Sequence, residues 1–95
     1  MSAGEPVNIR VLDREYTVGV APGERDALIA AARLLDTRMR ELRGSNRMAA
    51  IDRIAVLTAL NLAAELQQLR NEQDAREREL RQAMAAIERR LDALG

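Results

Sequence analysis

The chain has 95 residues, 47% of them apolar and 32% charged, and its fifteen basic and fifteen acidic side chains leave a formal net charge of zero. The length suits one small domain rather than two, the apolar content argues against a disordered tail, and the charge balance leaves no broad basic face for a nucleic-acid backbone. With no Cys and no His, no P-loop, no dinucleotide fingerprint and no EF-hand loop, the sequence points away from an enzyme, a cofactor or a metal site.

The opening, Met1 to Pro6, is polar and lacks the basic-then-apolar layout of a signal peptide. The longest uncharged run of the later helix, Ile54 to Ala64, falls far short of the ~20 residues of a membrane span. No membrane and a cytosolic location are therefore expected. Val7, Ile9 and Val11 then alternate with Asn8, Arg10 and Leu12, and Tyr16, Val18 and Val20 repeat the pattern after Asp13-Arg14. This period near two predicts a β-hairpin with one apolar face. Such a hairpin is not stable alone and needs a cover.

Ala21-Pro22-Gly23 breaks the second strand. Leu28, Ala32, Leu35, Met39 and Leu42 follow at alternating spacings of four and three, the apolar stripe of a helix. Glu24 and Asp26 suit its first turn, Arg40 and Arg43 its last, and Gly44 is expected to end it. From Ser45 to Leu94 there is neither Gly nor Pro, so a second helix is expected, capped by Ser45 or Asn46 and on the order of 70 Å long. A compact domain of this size has no such width, so a knob on a rod is expected.

Ile51, Ile54, Val56, Leu57, Leu60, Leu62 and Leu66 cover more than one side of the long helix, which predicts burial on several sides. After Leu69 the apolar positions narrow to Leu80, Met84, Ile87, Leu91 and Leu94 at heptad spacing, a coiled-coil seam. Extended backwards through Leu62, Leu66 and Leu69, the seam carries Gln73 and Arg76 at core positions and a stutter at Leu80. Glu72 with Arg76, Asp74 with Arg78 and Glu77 with Arg81 are acid-before-base pairs on its outer face. The only aromatic residue is Tyr16. An interior without large rings in so short a chain predicts an oligomer.

The fold class that emerges is α+β: an N-terminal head of hairpin and first helix (residues 1–47) and a long C-terminal coiled-coil helix (residues 48–95), in a dimer or tetramer. The first half of that helix is expected to pack on the head and the dimer partner. The charges are uneven in one window, where Arg33, Arg38, Arg40, Arg43, Arg47 and Arg53 stand against Asp36, Glu41 and Asp52. Two readings fit: a patch for an acidic protein partner, or solvated helix charge. A DNA-binding dimer would want a basic strand face, where only Arg10 and Arg14 lie near the strands. A generic dimeric coiled-coil adaptor for another cytosolic partner fits the same pattern.

In order, Val7 to Leu12, Asp13 to Tyr16, Pro22 to Leu28, Ala31 to Asp36, Asp52 to Leu57 and Ala59 to Ala63 resemble the ZapA family of bacterial cell-division proteins. The similarity is close over about residues 7–66 and continues as coiled-coil character. It implies homodimers that pair into tetramers through the rods, binding to polymers of the tubulin-like protein FtsZ, and a place at the midcell septum. It also implies cross-linking of those polymers without catalysis and, in some bacteria, engagement of the coiled-coil protein ZapB. The positions matching the FtsZ-contact region are Arg43, Arg47, Asp52 and Asn61. Asn61, set between Leu60 and Leu62, is open to a second reading as a residue that fixes helix register. Leu66, Leu69, Leu80, Met84, Ile87, Leu91 and Leu94 form the oligomerisation seam, Met84 matching a position of the tetramer contact. Thr17 stands where some relatives carry a basic residue, and some relatives continue past the seam, so a weaker tetramer is expected.

Overall fold

A computed structural model describes residues 4–95; residues 1–3, within the opening read above for a leader, lie outside the described residues. The elements run β1 (Glu5–Val11), β2 (Arg14–Val20), α1 (Arg25–Ser45) and α2 (Ile51–Leu94). Two compact units divide the chain, the first ending at Leu60 and the second comprising Asn61–Gly95.

In the first unit, β1 and β2 pair antiparallel with Val7 opposite Val18, Ile9 opposite Tyr16 and Val11 opposite Arg14. The expected apolar face forms: Val7 and Val11 are buried, and Ile9, Val18 and Val20 are half-buried. On the other face the Thr17 hydroxyl donates to Asn8 Oδ1 at 2.7 Å, across a directly opposed pair. Thr17 thus ties the two strands together on that face.

The turn differs from expectation. Its central residues are Leu12 and Asp13, with φ of 47° and 65°, while Arg14 already belongs to β2. Positive φ at both positions is the two-residue turn that matches the twist of a hairpin, and Gly or Asn usually supplies it. Leucine is a costly choice there. Tertiary contacts hold it: the Leu12 side chain is buried in the core, and its N–H donates to Asp36 Oδ1 on α1 at 2.8 Å. Arg40 completes the clamp, donating from Nε to Asp36 Oδ2 at 2.9 Å and from Nη2 to Asp13 Oδ1 at 2.8 Å.

After β2, the Glu24 N–H donates to the Ala21 carbonyl at 3.0 Å, with Pro22 and Gly23 (φ 88°) at the corners. Pro followed by Gly suits this turn because only glycine takes positive φ at no steric cost. Along α1 the predicted stripe is the covered face: Ala32 and Met39 are buried, and Leu28, Leu35 and Leu42 half-buried. The helix runs through Gly44 to Ser45, and Asn46 is its C-cap. Asn46 stops it with its own groups, the backbone N–H donating to Arg43 O at 3.1 Å and Nδ2 to Leu42 O at 3.0 Å. Ser45 and Asn46 therefore close the first helix rather than open the second. α2 begins at Ile51, where the Ile54 N–H reaches the Ala50 carbonyl at 3.1 Å.

Ile54, 1% exposed, sits with Val11, Leu12, Ala32 and Met39 in one core, flanked by Ala49 and Ile51. One turn on, Thr58 is equally buried and donates its hydroxyl to Ile54 O at 2.8 Å. That bond within the helix lets a polar side chain sit in the interior without an orphaned donor. In the second unit, Asn61–Gly95, the chain is helical to Leu94, and Glu77 accepts from Gln73 Nε2 at 3.4 Å where a pair with Arg81 is expected.

The hydrogen bond from Arg40, aided at Asp36 by the Leu12 N–H, holds the Asp13 and Asp36 carboxyls below the usual aspartate range. Groups with lowered folded-state values add stability that is complete above the ordinary value of 3.8. It is lost as pH falls from there through the lowered values. Asp36→Asn keeps an acceptor for Leu12 and removes the charge. Its melting temperature should lie below that of the parent at pH 7, and the gap should narrow as thermal melts are taken down to pH 3.

Candidate functional site

An apolar groove of about 480 Å³ opens on the first unit. Ile9, Val11, Tyr16 and Val18 form its sheet wall, Leu35 and Met39 come from α1, and Ile51, Asp52 and Ala55 from the start of α2. Asp52 is the one charged group in this lining. Tyr16, the lone aromatic, is 47% exposed because its ring borders this opening rather than filling a core. On α2, Val56 and Leu60 are 59% and 61% exposed and stand one turn apart. Residues one turn apart share a helix face, so a second apolar strip of the same unit faces water.

Three of the four residues matched to a polymer contact lie around the α1–α2 connection. Arg43 is exposed in the last turn of α1, Arg47 in the connection, and Asp52 in the first turn of α2. Asp52 Oδ1 accepts the Arg53 N–H at 2.9 Å, and a carboxylate there complements the helix N-terminus. Asn61 belongs to the second unit, where it is exposed and precedes half-buried Leu62. Of the remaining arginines in the basic window, Arg40 is committed to Asp13 and Asp36.

The connection itself is ordered by hydrogen bonds. Beyond the Asn46 cap, the Ala49 N–H donates to Asn46 O at 3.0 Å, closing a turn with Arg47 and Met48 at its corners. Met48 is 98% exposed. The sequence gives a weak signal for it: an apolar residue in a polar break, between Arg47 and Ala49.

In the second unit Leu66, Leu69, Leu80, Met84, Ile87, Leu91 and Leu94 are all exposed. Their spacing by threes and fours, with Gln73 and Arg76 in phase, puts them along one side of the helix. Among the described residues, no group of His, Cys, Asp or Glu is placed to hold a metal ion, and no helix is long and apolar enough to cross a membrane.

Residues 7–94 match the family model described as Cell division protein ZapA. A curated relative of that name from Pseudomonas aeruginosa is 34% identical over 95 residues, covering 96% of this chain and 91% of the relative. Among solved structures, one described as an unknown conserved bacterial protein from Pseudomonas aeruginosa PAO1 is 33% identical. It superposes with a TM-score of 0.72 over 92% of this chain and 96% of its own. A ZapA mutant dimer from Geobacillus stearothermophilus is 25% identical, with a TM-score of 0.66 over 85% of this chain and 93% of that one.

Proposed function

The chain belongs to the ZapA family of cell division proteins, and on that premise we propose that it binds FtsZ polymers and cross-links them at the division septum, without catalysis. The observation that carries the proposal is apolar surface that this chain leaves uncovered in each unit. The groove beside Tyr16 and the Val56–Leu60 strip lie in the first, and the Leu66 to Leu94 side of the helix in the second. Surfaces of this kind mark association sites. The Geobacillus stearothermophilus neighbour is a dimer. A second copy of the chain is the occupant we assign to the groove and the strip, and a further pair of copies meets along the seam.

Self-association supplies the mechanism. A single copy binds a polymer and does no more. An assembly with several binding heads holds neighbouring polymers together, and its avidity exceeds that of one contact by up to ~10²–10⁴ through effective concentration. Arg43, Arg47, Asp52 and Asn61 are the proposed polymer contacts, and a ZapB-like coiled-coil protein is a further partner. The exposure of all four side chains supports that role.

Co-pelleting of the purified protein with FtsZ from the same organism, in GTP and in GDP, tests the proposal. Sedimentation with polymers in GTP, and bundles in electron micrographs, are expected. An oligomer of confirmed mass that stays in the supernatant at every salt concentration would make the chain an adaptor for another partner. Met84→Glu puts a charge into the seam, where an unpaired buried charge is strongly unfavourable. Its mass by light scattering should fall by half, from tetramer to dimer. Asn61→Ala should lose polymer binding at unchanged mass; a changed mass would assign Asn61 to helix register.

A further inference from the structure

The α1–α2 connection carries an exposed apolar side chain that is not part of the groove lining. Arg47 and Met48 occupy the two corners of a turn closed by the Ala49 N–H to Asn46 O bond, and the Asn46 side chain ties its entry to Leu42 O. Corner positions favour Gly, Pro, Asn, Asp and Ser. Neither occupant is of that kind, so turn geometry does not account for them. Met48 is 98% exposed, more than any other large apolar side chain among the described residues. A long apolar side chain held at a fixed tip gains nothing from the fold of its own chain.

Its neighbours give the sign of what it meets. Between Arg43 and Arg53 the sequence has Arg43, Arg47 and Arg53 against Asp52 alone. Among the described residues, neither Arg47 nor Arg53 is held in an ion pair. Methionine and arginine are both enriched at protein interfaces, and methionine adapts its shape to irregular pockets. The backbone bonds of the turn are made before any partner arrives, which lowers the ordering cost of docking.

The geometry points to Met48 as an anchor that inserts into an apolar socket on an acidic protein surface, with Arg47 and Arg53 pairing to carboxylates at its rim. This deepens the proposed function, since the surface in question is that of the polymer. A single methionine is a small apolar insertion for a lipid surface, so a protein socket is the better match.

Met48→Ser and Met48→Leu, assayed by co-pelleting with FtsZ polymers over a range of salt, test the assignment. Met48→Ser should reduce the bound fraction several-fold while keeping the parent's mass and helical circular dichroism, and Met48→Leu should restore binding. Arg47→Ser should weaken binding and flatten its salt dependence. Met48→Ser that binds polymers as the parent does overturns the anchor and leaves the polymer-binding proposal standing. Met48→Ser with altered mass overturns it in favour of a contact between copies. Sedimentation of the parent with anionic phospholipid vesicles, lost in Met48→Ser, overturns it in favour of a membrane. Failure of the parent itself to co-pellet removes both proposals.

Discussion

Shortage of interior is the constraint from which the rest of this molecule follows. With no Phe and no Trp, the first unit builds its core from Val11, Leu12, Ala32, Met39 and Ile54. The stripe of α1 is shared between the core and the wall of the groove, and the buried residues of α2 are Ile54 and Thr58. Val56 and Leu60, on the same helix, are mostly exposed. In water such side chains favour association in rough proportion to the apolar area removed, about 25 cal/mol per Å². The fold is therefore complete as a backbone and incomplete as a surface.

The clamp on the hairpin turn is the second requirement. A two-stranded hairpin is marginal in isolation, and this one has leucine and aspartate where glycine or asparagine would relieve the backbone. Asp36 makes the arrangement workable by accepting from the Leu12 N–H and the Arg40 guanidinium together, while Arg40 reaches Asp13 across the turn. Leucine at that position serves the core in a way that glycine would not. The clamp also fixes the sheet wall of the groove, because Ile9, Val11, Tyr16 and Val18 follow the register that the turn imposes.

Periodicity made much of this legible. Alternation marked β1 and β2, the four-and-three spacing marked the covered face of α1, and the long run without Gly or Pro marked α2. What stayed hidden was set by contacts between elements. Leu12 reads as the polar phase of a strand, and its burial depends on Asp36, distant in sequence. Gly44 reads as a helix stop, yet it lies inside α1 because the Asn46 amide reaches Leu42 O and sets the end later. Asn46 itself reads as an N-cap, a role its side chain fits equally well on composition alone. The groove has no signature along the chain, since its walls come from three separate segments. Met48 was visible as a residue and silent as a site until its exposure was known.

Two kinds of contact with opposite responses to salt coexist in this chain. The α1–α2 connection offers Arg43, Arg47 and Arg53, whose pairing with a partner's carboxylates weakens as ionic strength rises, because charges beyond about 8 Å are screened at 0.15 M. The Leu66 to Leu94 side of the helix and the groove beside Tyr16 are mainly apolar, with Arg76 in phase on the first and Asp52 in the lining of the second. Burial of the apolar part of that surface does not depend on charge, and excluded salts such as sulfate strengthen it. An assembly held by the second kind of contact survives conditions that release the first. In the proposed assembly, cross-links built this way would come apart at the polymer while the copies stay together, and each released head would remain tethered beside the site it left. Rebinding is then a local event governed by effective concentration. A balanced net charge with a locally basic turn suits that proposed arrangement, because long-range attraction of a whole copy is small.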